Sequence, residues 1–314
     1  MDDVLSHSPR VSREALHDLM ARRDGPGLAH LLVSIALLVT AGTAACILAA
    51  RGDPWWPAAS LVCGAALVSF FPALHESGHG TAFRSPWLNR ATAWLGAVLM
   101  LQAPSFFREF HFEHHRQTHD PARDPEVALA PGLLASWPKN LFFWLALASG
   151  QGLMFGKLMF TIACALLPYS VWRRVFPWVR AAQAGVVARD SRISLAVLTL
   201  AVIAGLTYVP GFTALLLAWP IAHVLLGLYL MPEHTGLPHT GDQLHRTRTI
   251  TSNAAVRWWM WNMPYHGEHH AYPAVPFHAL PRLHDLLAPE LEHTSRGYLA
   301  FHAEALLRTL VRHT

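Results

Sequence analysis

Residues 266–270 read His266-Gly267-Glu268-His269-His270, and residues 111–115 read His111-Phe112-Glu113-His114-His115. The H-x-x-H-H spacing is thus written twice. A third box, His75-Glu76-Ser77-Gly78-His79, precedes both, and His234 stands alone in Pro-Glu-His-Thr-Gly at 232–236. In each box two histidines lie four apart, on one face if the segment is helical. His114 or His269 then projects beside its pair. A globular core has no use for so many imidazoles in short clusters. Two helices carrying H-x-x-H-H can each offer ligands to two adjacent metal ions, whereas one ion with four or five ligands would leave several side chains idle. Neutral imidazole binds Fe, Zn, Cu and Ni, so residue type alone does not name the metal.

The chain around these boxes is 53% apolar and 14% charged over 314 residues, with 12 Trp. A soluble domain carries about 25% charged residues, so the composition points to a bilayer protein. The formal charge of +4 reads as membrane orientation rather than nucleic-acid binding, since no basic stripe with interleaved aromatics accompanies it. Cys46, Cys63 and Cys164 lie in apolar stretches without a CxxC pair, which argues against a disulfide framework or a thiolate site. Residues 1–27 are polar and lack the short apolar core of a secretory signal. They are expected to form a short cytoplasmic helix that stops at Gly25, Pro26 and Gly27.

Two apolar runs, 29–50 and 55–74, flank the turn Arg51-Gly52-Asp53-Pro54 and make a hairpin. Arg22 and Arg23 put its open end, and therefore His75, in the cytoplasm. Runs 193–209 and 211–231, joined at Val209-Pro210-Gly211, make a second hairpin. Residues 87–104 are apolar but interrupted by Asn89 and Arg90, as a segment lying in the interface would be. If the boxes share a site, an even number of crossings separates residue 120 from residue 234. The second hairpin supplies two. Residues 141–169 must then be a re-entrant or surface-lying pair, or a hairpin with short arms, and the Arg-rich stretch 170–192 a cytoplasmic loop. The tail from Arg296 places Leu299, Ala303, Leu306 and Leu310 at helical spacing, as an amphipathic helix on the membrane or on the cap. The expected fold is a single all-α membrane domain over 1–314. It has about four transmembrane helices in two hairpins (29–74 and 193–231), interfacial helices, and a cytoplasmic helical cap carrying the boxes (75–128 and 232–290).

The three boxes in this order resemble the integral-membrane fatty acid desaturase and hydroxylase superfamily. The likeness runs through roughly residues 55–290. It is closest to bacterial members in TRTITSNAAVRWWMWNMPYHGEHHAYPAVPFHALPRLH (247–284), PEHTG (232–236) and HHRQTHDPARDPE (114–126). The resemblance implies a non-haem centre of two Fe ions at the cytoplasmic face, in a bacterial inner membrane. Its ligands would be His75, His79, His111, His114, His115, His234, His266, His269 and His270. It implies O2 as co-substrate, a lipid-like aliphatic substrate in the membrane, and electrons from a separate donor of the ferredoxin or cytochrome b5 type. No haem-binding HPGG segment occurs. Some relatives place Asn four residues before the isolated histidine; here Leu230 stands there. Asn262, four before His266, is either a partner of the site or a helix-terminal cap.

The activity implied first is desaturation of a fatty acyl or similar chain. Lipid or carotenoid hydroxylation and ketolation on the same scaffold stay open. From a different class, His75-Glu76-Ser77-Gly78-His79 also fits the H-E-x-x-H pattern of zinc proteases, with Glu76 as base. That reading leaves His111, His114, His115, His266, His269 and His270 unexplained. Ligating imidazoles need acceptors for their other N–H, and Glu76, Glu113, Asp120, Asp124, Glu233 and Glu268 are close enough in sequence to serve. His119 is a second-line candidate. His223 is expected to make a helix contact, His30 to sit at the interface, and His239, His245, His278 and His284 to lie on the cap surface. Arg246 and Arg248 are read as ordinary cytoplasmic charge or as contacts for an anionic head group or donor.

Overall fold

The computed structural model describes residues 10–311. Among them four helices are long and apolar enough to cross a membrane. The first, α2 (Asp24–Ala50), follows the short α1 (Arg13–Leu19), whose Ser12 hydroxyl caps the Ala15 N–H. The second runs from Trp56 to His79 as α3 (Trp56–Val68) and α4 (Phe70–His79). The Ser69 hydroxyl joins them to α2 through Ser34 Oγ at 2.9 Å. These two spans form the first hairpin, turning at Gly52, whose φ is +68°.

The break expected at Gly25-Pro26-Gly27 is absent, because those residues occupy the first turn of α2. Proline is tolerated there, since its missing N–H would be unpaired anyway. Gly27 meets a different need: a Cβ on it would lie 2.6 Å from both the Ala82 carbonyl and the Phe83 ring. The Asp24 carboxylate accepts from the Ser85 N–H (2.9 Å) and hydroxyl (2.7 Å), pinning the start of α2 to the approach of α5 (Pro86–Leu99).

Helix α5 is too short to span and packs mainly on α4. Asn89 explains its interruption, since its side chain accepts from the Phe83 N–H and donates to the Phe83 carbonyl. Next come α6 (Pro104–Gln117), the turn α7 (Pro131–Leu134), and α8 (Leu141–Ala148) with α9 (Gln151–Leu166). The last two are bent by 51° at Gly150, whose φ is +62°. That angle excludes a hairpin. Residues 120 and 180 lie on the same side of the molecule, because Arg180 pairs with Glu109 of α6 at 2.6 Å. The chain between residues 120 and 180 therefore begins and ends at the site end of the molecule.

After α10 (Tyr169–Trp172) the third span, residues 181–208, is mostly α11 (Ala184–Tyr208). It begins well before residue 193, so part of the expected Arg-rich loop is helix. The apolar run starts later than the helix does. Arg192, in the third turn of α11, donates to the Ala165 carbonyl at the end of α9 (2.9 Å). The fourth span comprises α12 (Phe212–Leu216) and α13 (Ala218–His234).

The cap follows as α14 (Gln243–Arg246), β1 (Thr249–Ile250), α15 (Ala254–Trp259), α16 (His266–Ala271), α17 (Leu280–Leu287), β2 (Thr294–Ser295) and α18 (Tyr298–Val311). The two short strands pair in parallel. Between spans and cap lies one core holding Phe70, Phe83, Met100, Trp261, Phe277 and Leu280. His30 packs against this core: it is buried and stacks on Trp258 at 4.4 Å.

Helix α18 packs through Phe301, His302, Ala305 and Thr309. The expected stripe faces the other way: Leu299 is 89% and Leu310 62% exposed. Spacing alone cannot tell two apolar faces of one helix apart.

Candidate metal centre

All nine box histidines come together. His75 and His79 occupy the last turn of α4, His111, His114 and His115 lie on α6, His234 ends α13, and His266, His269 and His270 lie on α16. They form two groups within which the nitrogens offered lie within 4.8 Å of one another: His75, His79, His111, His115 and His269 in one, and His114, His234, His266 and His270 in the other. Helix α6 gives two rings to the first group and one to the second, while α16 gives one and two. The i, i+4 pairs meet as helix geometry requires, with centroids 4.5 Å apart for His111 and His115 and 4.3 Å for His266 and His270. The stacked rings of His115 and His270, 4.1 Å apart, join the groups.

The outer ring nitrogens reveal what the inner ones present. The Arg246 carbonyl can only accept, so His234 carries its proton on Nδ1 (3.0 Å) and turns a bare Nε2 inward. Asp124 accepts from His114 Nδ1 at 2.9 Å. The Thr118 hydroxyl donates to the His114 carbonyl (2.9 Å) and accepts from His270 Nδ1 (3.2 Å). Glu233 lies 3.5 Å from His266 Nδ1. In neutral rings four lone pairs therefore converge, with His234 Nε2 2.9 Å from His266 Nε2 and His114 Nε2 3.2 Å from His270 Nε2. Facing lone pairs repel unless a cation lies between them. Nitrogens bound about 2.1 Å from one ion sit about 3 Å apart when adjacent. The first group shows the same spacing: His79 to His111 2.8 Å, His111 to His115 2.9 Å, and His115 to His269 3.2 Å, all between Nε2 atoms. The residues fit two ions held by nitrogen.

Burial pushes His111, His115, His266, His269 and His270 well below the ordinary histidine range, and charge on neighbouring rings adds to it. These rings stay neutral, as ligands must. His114 differs. Burial would lower it too, but Asp124, joined by Glu126, outweighs that and holds it at about 9. The pocket favours positive charge at this place.

The supporting acids divide sharply. Asp124 hydrogen-bonds a box ring, Glu233 approaches one, and Glu76 stands 3.8 Å from His269 Nδ1 while its carboxylate is held by Thr81 Oγ1 at 2.6 Å. Glu113 instead pairs with Arg116, Asp120 caps the Ala122 N–H, and Glu268 holds Thr249 and His284. In the first group His75, His115 and His269 leave Nδ1 buried without a hydrogen-bond partner. Glu126, 3.7 Å from His114 Nδ1, escaped the sequence reading. So did Thr118 and the Arg246 carbonyl, whose roles depend on chain reversal at His119, a residue with φ of +59°.

His119 itself stays outside both groups. Its Nδ1 donates to the Pro238 carbonyl at 3.0 Å, and its ring lies 5.7 Å from that of His234. His223 makes the expected helix contact, to the Trp219 carbonyl (2.8 Å). His239 bonds the His119 carbonyl, and His245 pairs with Glu292. Asn262 is a turn residue: its φ is +56° and its amide donates to the Phe277 carbonyl. Leu230 packs against the core. Arg246 donates to the Thr118 carbonyl (3.1 Å) and Arg248 to the Thr235 carbonyl (3.1 Å). Arg248 is buried under Phe301, so it braces the boxes from within and meets no head group.

A helical membrane scaffold with two adjacent all-imidazole groups at one end of its spans defines a narrow class. The family profile described as fatty acid desaturase matches residues 53–302. The chain belongs to the fatty acid desaturase family. It is also similar to the sphingolipid delta(4)-desaturase DES1 of Drosophila melanogaster, with 26% identity over 224 residues. That match covers 68% of this chain and 60% of the relative.

Proposed function

We propose that the chain is an O2-dependent membrane oxidoreductase that holds two iron ions on its nine box histidines and desaturates a fatty acyl or other lipid-like aliphatic chain. Convergence of those nine imidazoles into groups of five and four carries the reading. Family membership supports it, as does the relative named for sphingolipid desaturation. Two reduced irons with O2 would supply the oxidising power that an unactivated C–H bond demands. The protein does the rest. Asp124, Thr118 and the Arg246 carbonyl fix ring orientation. Phe107, stacked on His111 at 5.2 Å, and Phe71 beside His75 present an apolar wall that excludes water.

Electrons come from a separate donor, of the ferredoxin or cytochrome b5 type. The site faces the cytoplasm of a bacterial cell: Arg22, Arg84, Arg90 and Arg108 cluster at its end of the molecule, in line with the excess of basic residues on that side of a membrane. The zinc protease reading loses its support. A catalytic zinc takes three protein ligands and an open position, but His75 and His79 share their group with three more rings. Glu76 is fully buried, and its Oε2 is held by Thr81 and the Phe277 N–H.

The test is metal analysis joined to lipid and pigment profiling of expressing cells. We expect about two Fe per chain, a new double bond, and loss of both the product and part of the iron in His269→Ala. Zinc alone, with product formation unchanged by that substitution, would overturn the reading. A new hydroxyl or keto group would move the activity to the hydroxylase or ketolase alternative.

A further inference from the structure

Beside the first histidine group opens a cleft of about 400 Å³ that the chemistry above does not use. Its inner wall includes His79, and its rim carries Arg22, Arg84, Arg90 and Arg108. All four arginines are exposed, and none makes an ion pair among the described residues. The one acid lining the cleft, Asp190, is already paired with Arg189 at 2.8 Å. Four guanidinium groups without a direct ion-pair partner around one concavity attract an anion.

Two further observations point inward. Ser77, 6% exposed, and Ser105 line the cleft, and each keeps a buried hydroxyl without a hydrogen-bond partner. Buried hydroxyls are normally paired, so both await a polar ligand atom. The same walls include Ala93 and Trp94, which offer nothing to a small hydrated ion but suit a hydrocarbon. Position agrees: Arg22 stands just before α2, and Arg84 and Arg90 flank the start of α5, at the end of the first spans that carries the histidines.

We propose that this cleft seats the anionic head of an amphiphilic substrate, a phosphate- or carboxylate-bearing lipid, with the head among the four arginines and the adjoining methylenes over Ala93 and Trp94 beside His79. Concavity and apolar lining favour a lipid over an acidic protein, whose surface carboxylates would not reach Ser77. The inference builds on the lipid oxidase reading by naming the head-group charge of its substrate, but its test reads binding and not turnover. Iron content and product formation therefore judge the one, and ligand affinity judges the other.

The experiment uses iron-loaded protein in phosphatidylcholine nanodiscs, titrated calorimetrically with octyl phosphate, inorganic phosphate, octyl glucoside and octyltrimethylammonium against empty nanodiscs. We expect saturable octyl phosphate binding, at least about tenfold weaker binding of the other three, and a loss of about tenfold or more in the double variant Arg84→Gln/Arg90→Gln. Both side chains are exposed, so unchanged iron content and melting temperature certify the variant's fold. Equal affinity for inorganic phosphate would make the cleft a free-anion site and overturn the proposal. Equal affinity for octyltrimethylammonium, or unchanged octyl phosphate affinity in the variant, would overturn it as well.

Discussion

At the residue scale the centre rests on groups that are not ligands. Asp124 accepts from His114 Nδ1 and also from the His119 N–H at 2.6 Å, so one carboxylate fixes both a ring and the reversal that follows it. Outer partners of metal-bound histidines typically account for about 10–100-fold in metal affinity or activity. We expect Asp124→Asn to lose iron by that order during dialysis against a chelator. Glu113→Gln should hold its metal, although Glu113 sits beside His114 in sequence, because its carboxylate serves Arg116 at the surface. Equal retention by the two variants would remove Asp124 from the account. Parallel iron determinations on both proteins decide it.

At the element scale the bent pair α8–α9 is the least conventional part of the fold. Gly150 bends it, with positive φ and a backbone so close to α13 that a Cβ would fall 1.7 Å from the His223 carbonyl. Gly152 has nothing within 4 Å of its Cβ position. Gly150→Ala should therefore destabilise by about 1–3 kcal/mol through backbone strain and overpacking. Gly152→Ala should be neutral or slightly stabilising through helix propensity. Thermal unfolding in one detergent separates them, and equal melting temperatures would mean that the bend is not built on Gly150. Neighbouring elements are joined more simply, by indole anchors: Trp219 donates to the Leu99 carbonyl (2.9 Å) and Trp259 to the Ala65 carbonyl (2.8 Å).

At the scale of the whole molecule the boxes impose a parity. His79 and His234 end two different spans, and α6 and α16 lie beyond them, so both hairpins open toward one face. Arg180 and Glu109 close the same face across residues 118–180. Cysteines placed at Glu113, Asp242 and Arg180 should react with an impermeant maleimide from the cytoplasmic side of inverted vesicles. Cysteines at Asp53 and Pro210, in the turns at the far ends of the spans, should react from the opposite side. Labelling of Arg180→Cys together with the Asp53 and Pro210 positions would mean that the bent pair crosses, which would break the single-face arrangement.

Several features were fixed by the order of residues alone. Apolar runs of spanning length, their Pro-Gly and Gly-Asp turns and the repeated H-x-x-H-H spacing dictate hairpins with imidazoles at one end, because lipid demands internally bonded helices and α-helical periodicity sets which rings share a face. Three-dimensional packing decided what periodicity cannot express. It divided nine rings into five and four, chose Asp124 over Glu113 as a partner for His114, and turned Arg248 inward. It also seated His30 on Trp258 and set Phe301, not Leu299, against α8 and α13. Each of these outcomes depends on contacts between segments far apart along the chain, or on a local reversal such as that at His119, where backbone direction and not residue type determines which side chain arrives.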